Sequence, residues 1–265
     1  MEKSSIIGII LAVIAVGVGM VLKGASLSAL VNPAAFLIIF VGTAATLFIG
    51  FQMPEIKKFP FLLKKIFVGQ KLQDKKELIQ TFIEWTNISR REGLLALESK
   101  VESIDDPFMK YGMKMIIDGN DPDFVKEVLL EDIGAMEERH RSGASLFSQA
   151  GTYAPTLGVL GAVVGLVAAL GNLNEMDKLG HSIAAAFIAT LLGIFSGYVL
   201  WHPMANKLKQ MSKKETEIRL MMAEGLLSIQ SGVSSIAIEQ KLSIFIPLSQ
   251  RFPEEKQAGE GKAGE

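Results

Sequence analysis

The residues able to do chemistry inside the apolar stretches of this sequence are hydroxyls. Thr43, Thr46, Thr190 and Ser196 lie within hydrophobic runs, with Thr152, Tyr153 and Thr156 near the end of another. A hydroxyl donates one hydrogen bond and accepts others, so it can line a wet path or tie helix to helix; it does not take up and release a proton near neutral pH. The same runs hold no Asp, Glu, Lys or Arg, and moving protons or cations through lipid needs an ionisable group at depth. On the residues alone two readings stay open: the chain conducts nothing, or a second protein supplies the carboxylate.

Other chemistry finds little support, and the reading is of a protein that is not an enzyme. There is no phosphate-cradling glycine loop, nucleophile elbow or dinucleotide fingerprint. There is no cysteine, and His140, His181 and His202 lie far apart without metal-ligand spacing. Lys and Arg number 27 against 28 Asp and Glu, which leaves no bulk electrostatic case for nucleic acid.

The elements that must position the hydroxyls are membrane spans. The chain is 49% hydrophobic and 21% charged, so its charges must segregate. Apolar stretches at 6–22, 33–51, 150–173 and 181–201 are each long enough, at about 1.5 Å per helical residue, to cross most or all of a hydrocarbon core. Small residues recur at helical spacing in them: Gly158, Ala162, Gly165 and Ala169 in the third, Ala186, Thr190, Gly193 and Gly197 in the fourth. Glycine gains nothing against lipid and serves where another backbone presses close. If a partner brings the carboxylate, Gly158, Gly165, Ala169, Ala186, Gly193 and Gly197 are the face on which its helix packs.

Between the spans the sequence is helical in pattern, with no strand-period run, and the fold class is an all-α integral membrane protein. Residues 52–149 form an inserted cytoplasmic helical domain, 202–252 a cytoplasmic helical tail, 253–265 a disordered C-terminus, and 1–5 a short N-terminus. Lysines crowd the central segment and the tail, while the two short loops hold only Lys23 and Lys178, so the positive-inside rule places both termini in the cytoplasm. Lys57, Lys58, Lys64 and Lys65 alternate with apolar residues in an amphipathic segment suited to an anionic leaflet. Pro155 and Pro203 bracket spans three and four, either as helix ends or as hinges. Arg90 and Glu98, on an expected helix 90–103, lie about 80° apart around it, as part of a solvated face or of one partner surface.

Taken together, RREGLLALE, ERHRSGASLFSQAGTYAPTLGVLGAVVGLVAAL and AAAFIATLLGIFSGYVLWHPMANKLK resemble the A subunit of the bacterial flagellar motor stator, the MotA family of Bacillus-type bacteria. The N-terminal GIILAVIAVGVGMVLKG and the tail EGLLSIQSG extend the resemblance over nearly the whole chain. It implies an inner-membrane stator in which an A pentamer surrounds a dimer of a MotB-type subunit, whose membrane aspartate carries the ion past Thr190. It further implies that Pro155 and Pro203 couple ion flow to movement, and that Arg90 and Glu98 contact the rotor protein FliG. Sodium-driven members are similar but carry threonine at the position of Ala162, so the alanine implies a proton, with no other cofactor. The related ExbB and TolQ energisers usually have three spans; an energiser of that kind, or a non-conducting scaffold, is the alternative reading.

Overall fold

The computed structural model describes residues 3–171 and 173–251. Readings that fall elsewhere, among them the disordered C-terminus 253–265, lie outside the described residues. Every regular element in the described residues is helical, and four helices are long and apolar enough to span a membrane. The described residues divide into two units, one within residues 3–70 and 138–211, the other within 71–137 and 212–251. The division places 52–70 and 138–149, read from sequence as part of the inserted domain, with the apolar spans.

In the first unit, helix α1 (Lys3–Leu22) buries only Met20 among its residues. Helix α2 (33–50) starts where its caps dictate: the Asn32 side chain accepts from the Ala35 N–H, and Pro33 occupies the first turn, where its missing donor costs nothing. A π-helical turn at Leu37–Val41 interrupts it, and the Thr43 hydroxyl donates to the Ile39 carbonyl at 2.5 Å. The amphipathic segment becomes α3 (Phe59–Val68), whose apolar side packs on protein. Ile66 joins Leu146, Phe147, Ala205 and Leu208 in a buried cluster, and Phe59 stacks on Phe147 at 4.8 Å. Lys64 points to the exposed side. The segment is thus a structural strut as well as a basic face.

In the second unit, acidic caps fix the helix starts. Asp74 accepts from Lys76 and Glu77 at the head of α4 (Lys75–Glu92). Asp106 accepts from Met109 at the head of α6 (Pro107–Ile117), and Asp121 from Asp123 and Phe124 at the head of α7 (Pro122–Leu170). A carboxylate there satisfies N–H groups that no helical carbonyl reaches and meets the positive end of the helix dipole. Asp106 also pairs with Arg219 at 3.5 Å, and that guanidinium lies 4.8 Å over the Phe108 ring. The core is built from Phe82, Met113, Leu129, Met221 and Leu226. Gly225 lets the Phe82 ring approach so closely that a Cβ there would lie 2.7 Å from it.

Two sequence expectations change. The helix expected over 90–103 is broken: α4 ends at Glu92, Gly93 adopts φ +87°, a 3-10 turn covers Leu94–Leu97, and α5 is only Glu98–Glu102. Glycine reaches that left-handed region without a Cβ penalty, which is the physical reason the pattern could not run on. Pro203 does not close the fourth span either; α8 runs Met176–Gln230.

Glu55, just past α2, ties the chain to α7. Its carboxylate accepts from Lys58 Nζ at 2.7 Å and from the Ser142 hydroxyl at 2.8 Å. The Lys58 bond first, and the Ser142 bond next, hold its pKa below the usual glutamate value of 4.5. A depressed carboxylate pKa contributes stability that is present above the unfolded value and lost as pH falls through the folded one. Thermal unfolding should show Glu55→Gln less stable than wild type at neutral pH, with the gap closing once the pH falls below the depressed value; a gap that widens in acid would refute the assignment.

Candidate functional site

The site is the antiparallel pair formed by the apolar half of α7 and the first part of α8. Their contacts run in register. Gly151 faces the His202 ring, Gly197 faces Pro155, Gly158 faces Gly193, Gly161 faces Ala189 and Gly165 faces Ala186. The centre is backbone on backbone. A Cβ on Gly158 would lie 2.8 Å from Gly193 Cα and 2.9 Å from the Ala189 carbonyl oxygen; one on Gly193 would lie 2.7 Å from Gly158 Cα and 2.9 Å from the Ala154 oxygen. At this range Cα–H groups meet carbonyl oxygens and dispersion is collected along the whole pair, the interactions that remain when lipid removes the hydrophobic drive between helices.

Both prolines sit inside continuous helices, which corrects the helix-end reading. Pro155 lies within α7. Its missing N–H would have bonded the Gly151 carbonyl in an unbroken α-helix. That oxygen lies 2.7 Å from a Cβ built on Gly197, so the bare backbone of α8 covers the acceptor that the proline frees. Pro203, which is exposed, follows a π-helical turn at Ser196–Trp201, in which the His202 N–H reaches back to the Gly197 carbonyl. The wider turn relieves the clash between the proline ring and the preceding carbonyls.

The structure uses the small-residue faces differently from the sequence expectation. Gly158, Gly165, Ala186, Gly193 and Gly197 are spent on contact between α7 and α8 of the same chain. Ala169 and Ala186 are 3% and 2% exposed. The surfaces of the pair that stay exposed are the line of Val159, Val163, Leu166 and Leu170 and that of Phe187, Ile194 and Tyr198. The reason is proximity in the chain. The short connection makes the two spans neighbours, and the nearest backbone takes the glycine face.

Among the hydroxyls of the spans, Thr190 stands apart. Thr43, Thr46 and Ser196 donate to backbone carbonyls at 2.5, 2.7 and 3.0 Å, and Thr43 and Ser196 are buried. Thr190 is half-buried and donates to the Ala186 carbonyl at 3.4 Å, near the limit of a hydrogen bond. Of these four hydroxyls it is the most loosely held. Ala162, also half-buried, follows Gly161, and Thr190 follows Ala189. Gly161 and Ala189 touch, so Ala162 and Thr190, which step away from that contact in opposite directions, lie within one helical turn of each other along the pair. Arg90 and Glu98 are both exposed in the second unit, on separate helices with Gly93 between them. The sequence reading missed the seat of His202 against Gly151. The signal was the register: Gly151 at the start of one span opposite His202 just past the end of the other.

The helix pair, its hydroxyl and the surrounding spans define a class: the chain belongs to the MotA/TolQ/ExbB proton channel family, whose model matches residues 100–221, and a motility protein A N-terminal model matches residues 6–93. Within that class it is a flagellar motor stator protein. It is 54% identical to Motility protein A of Bacillus subtilis over 100% of this chain and 98% of that one. It is 31% identical to Chemotaxis protein PomA of Vibrio alginolyticus, over 93% of this chain and 96% of that one. The solved flagellar MotAB stator complex of Bacillus subtilis contains a chain that superposes with a TM-score of 0.90, covering 95% of this chain and 99% of that chain. The corresponding values for MotAB of C. jejuni are 0.89, 94% and 97%, at 31% identity.

Gly158→Ala or Gly193→Ala, either of which drives a methyl into backbone, should destabilise the membrane unit by about 1–3 kcal/mol, read as a lowered midpoint of thermal unfolding in detergent. Gly19→Ala, with nothing within 4 Å of its Cβ position, should leave the midpoint unchanged. Equal effects of the two kinds of change would sink the backbone-contact account.

Proposed function

We propose that the chain is the ion-conducting A subunit of a stator in the bacterial inner membrane, both termini cytoplasmic, assembled as a pentamer around a dimer of a MotB-type subunit. The observation that carries this reading is the polar inventory of the spans: hydroxyls, one of them loosely held, and no Asp, Glu, Lys or Arg within positions 6–22, 33–51, 150–171 and 181–201. The likeness to chains of two solved MotAB complexes supports the same arrangement. The partner's aspartate carries the proton. Ionised, it needs polar contact, and Thr190 is the hydroxyl able to offer it. Protonated, it can leave that contact without burying a bare charge. The alternation between the two states turns the A ring about the B core, with Pro155 and Pro203 passing the movement to the second unit. There Arg90 and Glu98 present opposite charges to the rotor protein FliG.

The coupling ion is a proton. Dehydrated sodium needs several oxygen ligands, and Ala162, within one helical turn of Thr190 along the pair, offers only a methyl. The match of the motility-specific N-terminal model to residues 6–93 favours the motor over an ExbB- or TolQ-like energiser.

Thr190→Ala should slow swimming and proton flux more than Thr43→Ala, whose hydroxyl is committed to Ile39; the opposite order would move the path away from Thr190. Swimming sustained by a sodium gradient after collapse of the proton gradient would overturn the choice of ion. Arg90→Glu should lower torque while membrane accumulation and assembly with the partner stay normal, as tested by tethered-cell rotation and co-purification; loss of membrane insertion would make the residue structural.

A further inference from the structure

Two cavities follow one another between α1 and α8. The first, of about 430 Å³, is lined by Ser4, Ser5 and Gly8 on α1 and by Tyr198, Pro203 and Lys207 on α8. The second, of about 610 Å³, opens one turn further along, from Val13 to Leu22 on α1 and at Leu191, Leu192 and Phe195 on α8, and has only apolar side chains and Gly17 in its wall. The first holds an ammonium and three hydroxyls; the Lys207 Nζ donates to Ser4 Oγ at 3.2 Å. The second holds no polar side chain. We propose that these two cavities form one site for an anionic diacyl phospholipid, its phosphate at Lys207, Ser4, Ser5 and Tyr198 and an acyl chain along Val13–Gly17 and Phe195.

Three observations fix the occupant. Polarity is graded along one pair of helices as it is along a lipid, with charge at one end and hydrocarbon at the other. From Ser5 to Gly17 is about 18 Å at 1.5 Å per residue, close to the hydrocarbon depth of one leaflet, about 15 Å. The cationic end belongs to the lysine-rich side of the chain, where the positive-inside rule places anionic leaflet lipid. A second copy of the chain would fill the apolar cavity equally well, but it has no need of an ammonium and hydroxyls clustered at one end.

The test uses the full-length chain in its assembled form, extracted from vesicles containing phosphatidylglycerol or phosphatidylcholine, with retained lipid per chain counted by native mass spectrometry. Phosphatidylglycerol should be retained in preference to phosphatidylcholine. Lys207→Gln should lower that retention about fivefold, the equivalent of one lysine near an anionic lipid surface, while the exposed control Lys209→Gln leaves it unchanged. Gly8→Leu, at a position with nothing within 4 Å of its Cβ, should fill the first cavity and lower retention of both lipids. Should that variant fail to assemble, the lysine pair alone decides. Excess inorganic phosphate should not displace the lipid; displacement by it would identify a phosphate-ion site and overturn the proposal. So would absence of retained lipid, retention unchanged by Lys207→Gln, or a cysteine at position 8 that cross-links to another copy of the chain in place of the lipid.

Discussion

Between Gly158 and Gly193 the two central spans touch backbone to backbone, at a spacing that admits no side-chain atom on either. Much else in the membrane unit follows from that contact. It sets the register that brings Gly161 onto Ala189 and Gly165 onto Ala186, and so places Thr190 and Ala162 within one turn of each other. It also brings Gly197 over the Gly151 carbonyl, where Pro155 would otherwise leave an acceptor bare. In lipid an unmet backbone group costs several kcal/mol, so close packing is what makes a proline tolerable inside the helix.

The π turns serve the same economy of backbone groups. Ser196–Trp201 precedes Pro203, and Leu37–Val41 precedes the buried Thr43. In each case the helix widens instead of ending. The consequence for function is continuity: α7 and α8 each run without a break from an apolar span into residues of the second unit.

The membrane unit is also incomplete by itself. Helix α1 and the outer sides of α7 and α8 expose large apolar residues, among them Ile14, Val163, Phe187 and Ile194. Surfaces of that kind are stable only against lipid or protein. The glycine faces are already used within the chain, so the surfaces left for neighbours are built of larger side chains.

The sequence by itself determined what depends on counting and spacing. The apolar runs gave the spans because length against bilayer thickness is a one-dimensional quantity, and Asp74, Asp106 and Asp121 marked helix starts because a cap acts within one turn. The lack of a membrane carboxylate was likewise legible, since it is an inventory. The tertiary structure decided what depends on which surface comes first to hand. It turned the small-residue faces of spans three and four onto each other, because neighbours in the chain reach a glycine stripe before any other protein does. It showed both prolines inside unbroken helices, because the groups that offset them, Gly197 and a π turn, come from close packing and a local change of helix that spacing does not register. It separated Arg90 from Glu98 at Gly93, whose positive φ is a backbone choice that residue counting over a helical pattern passes by.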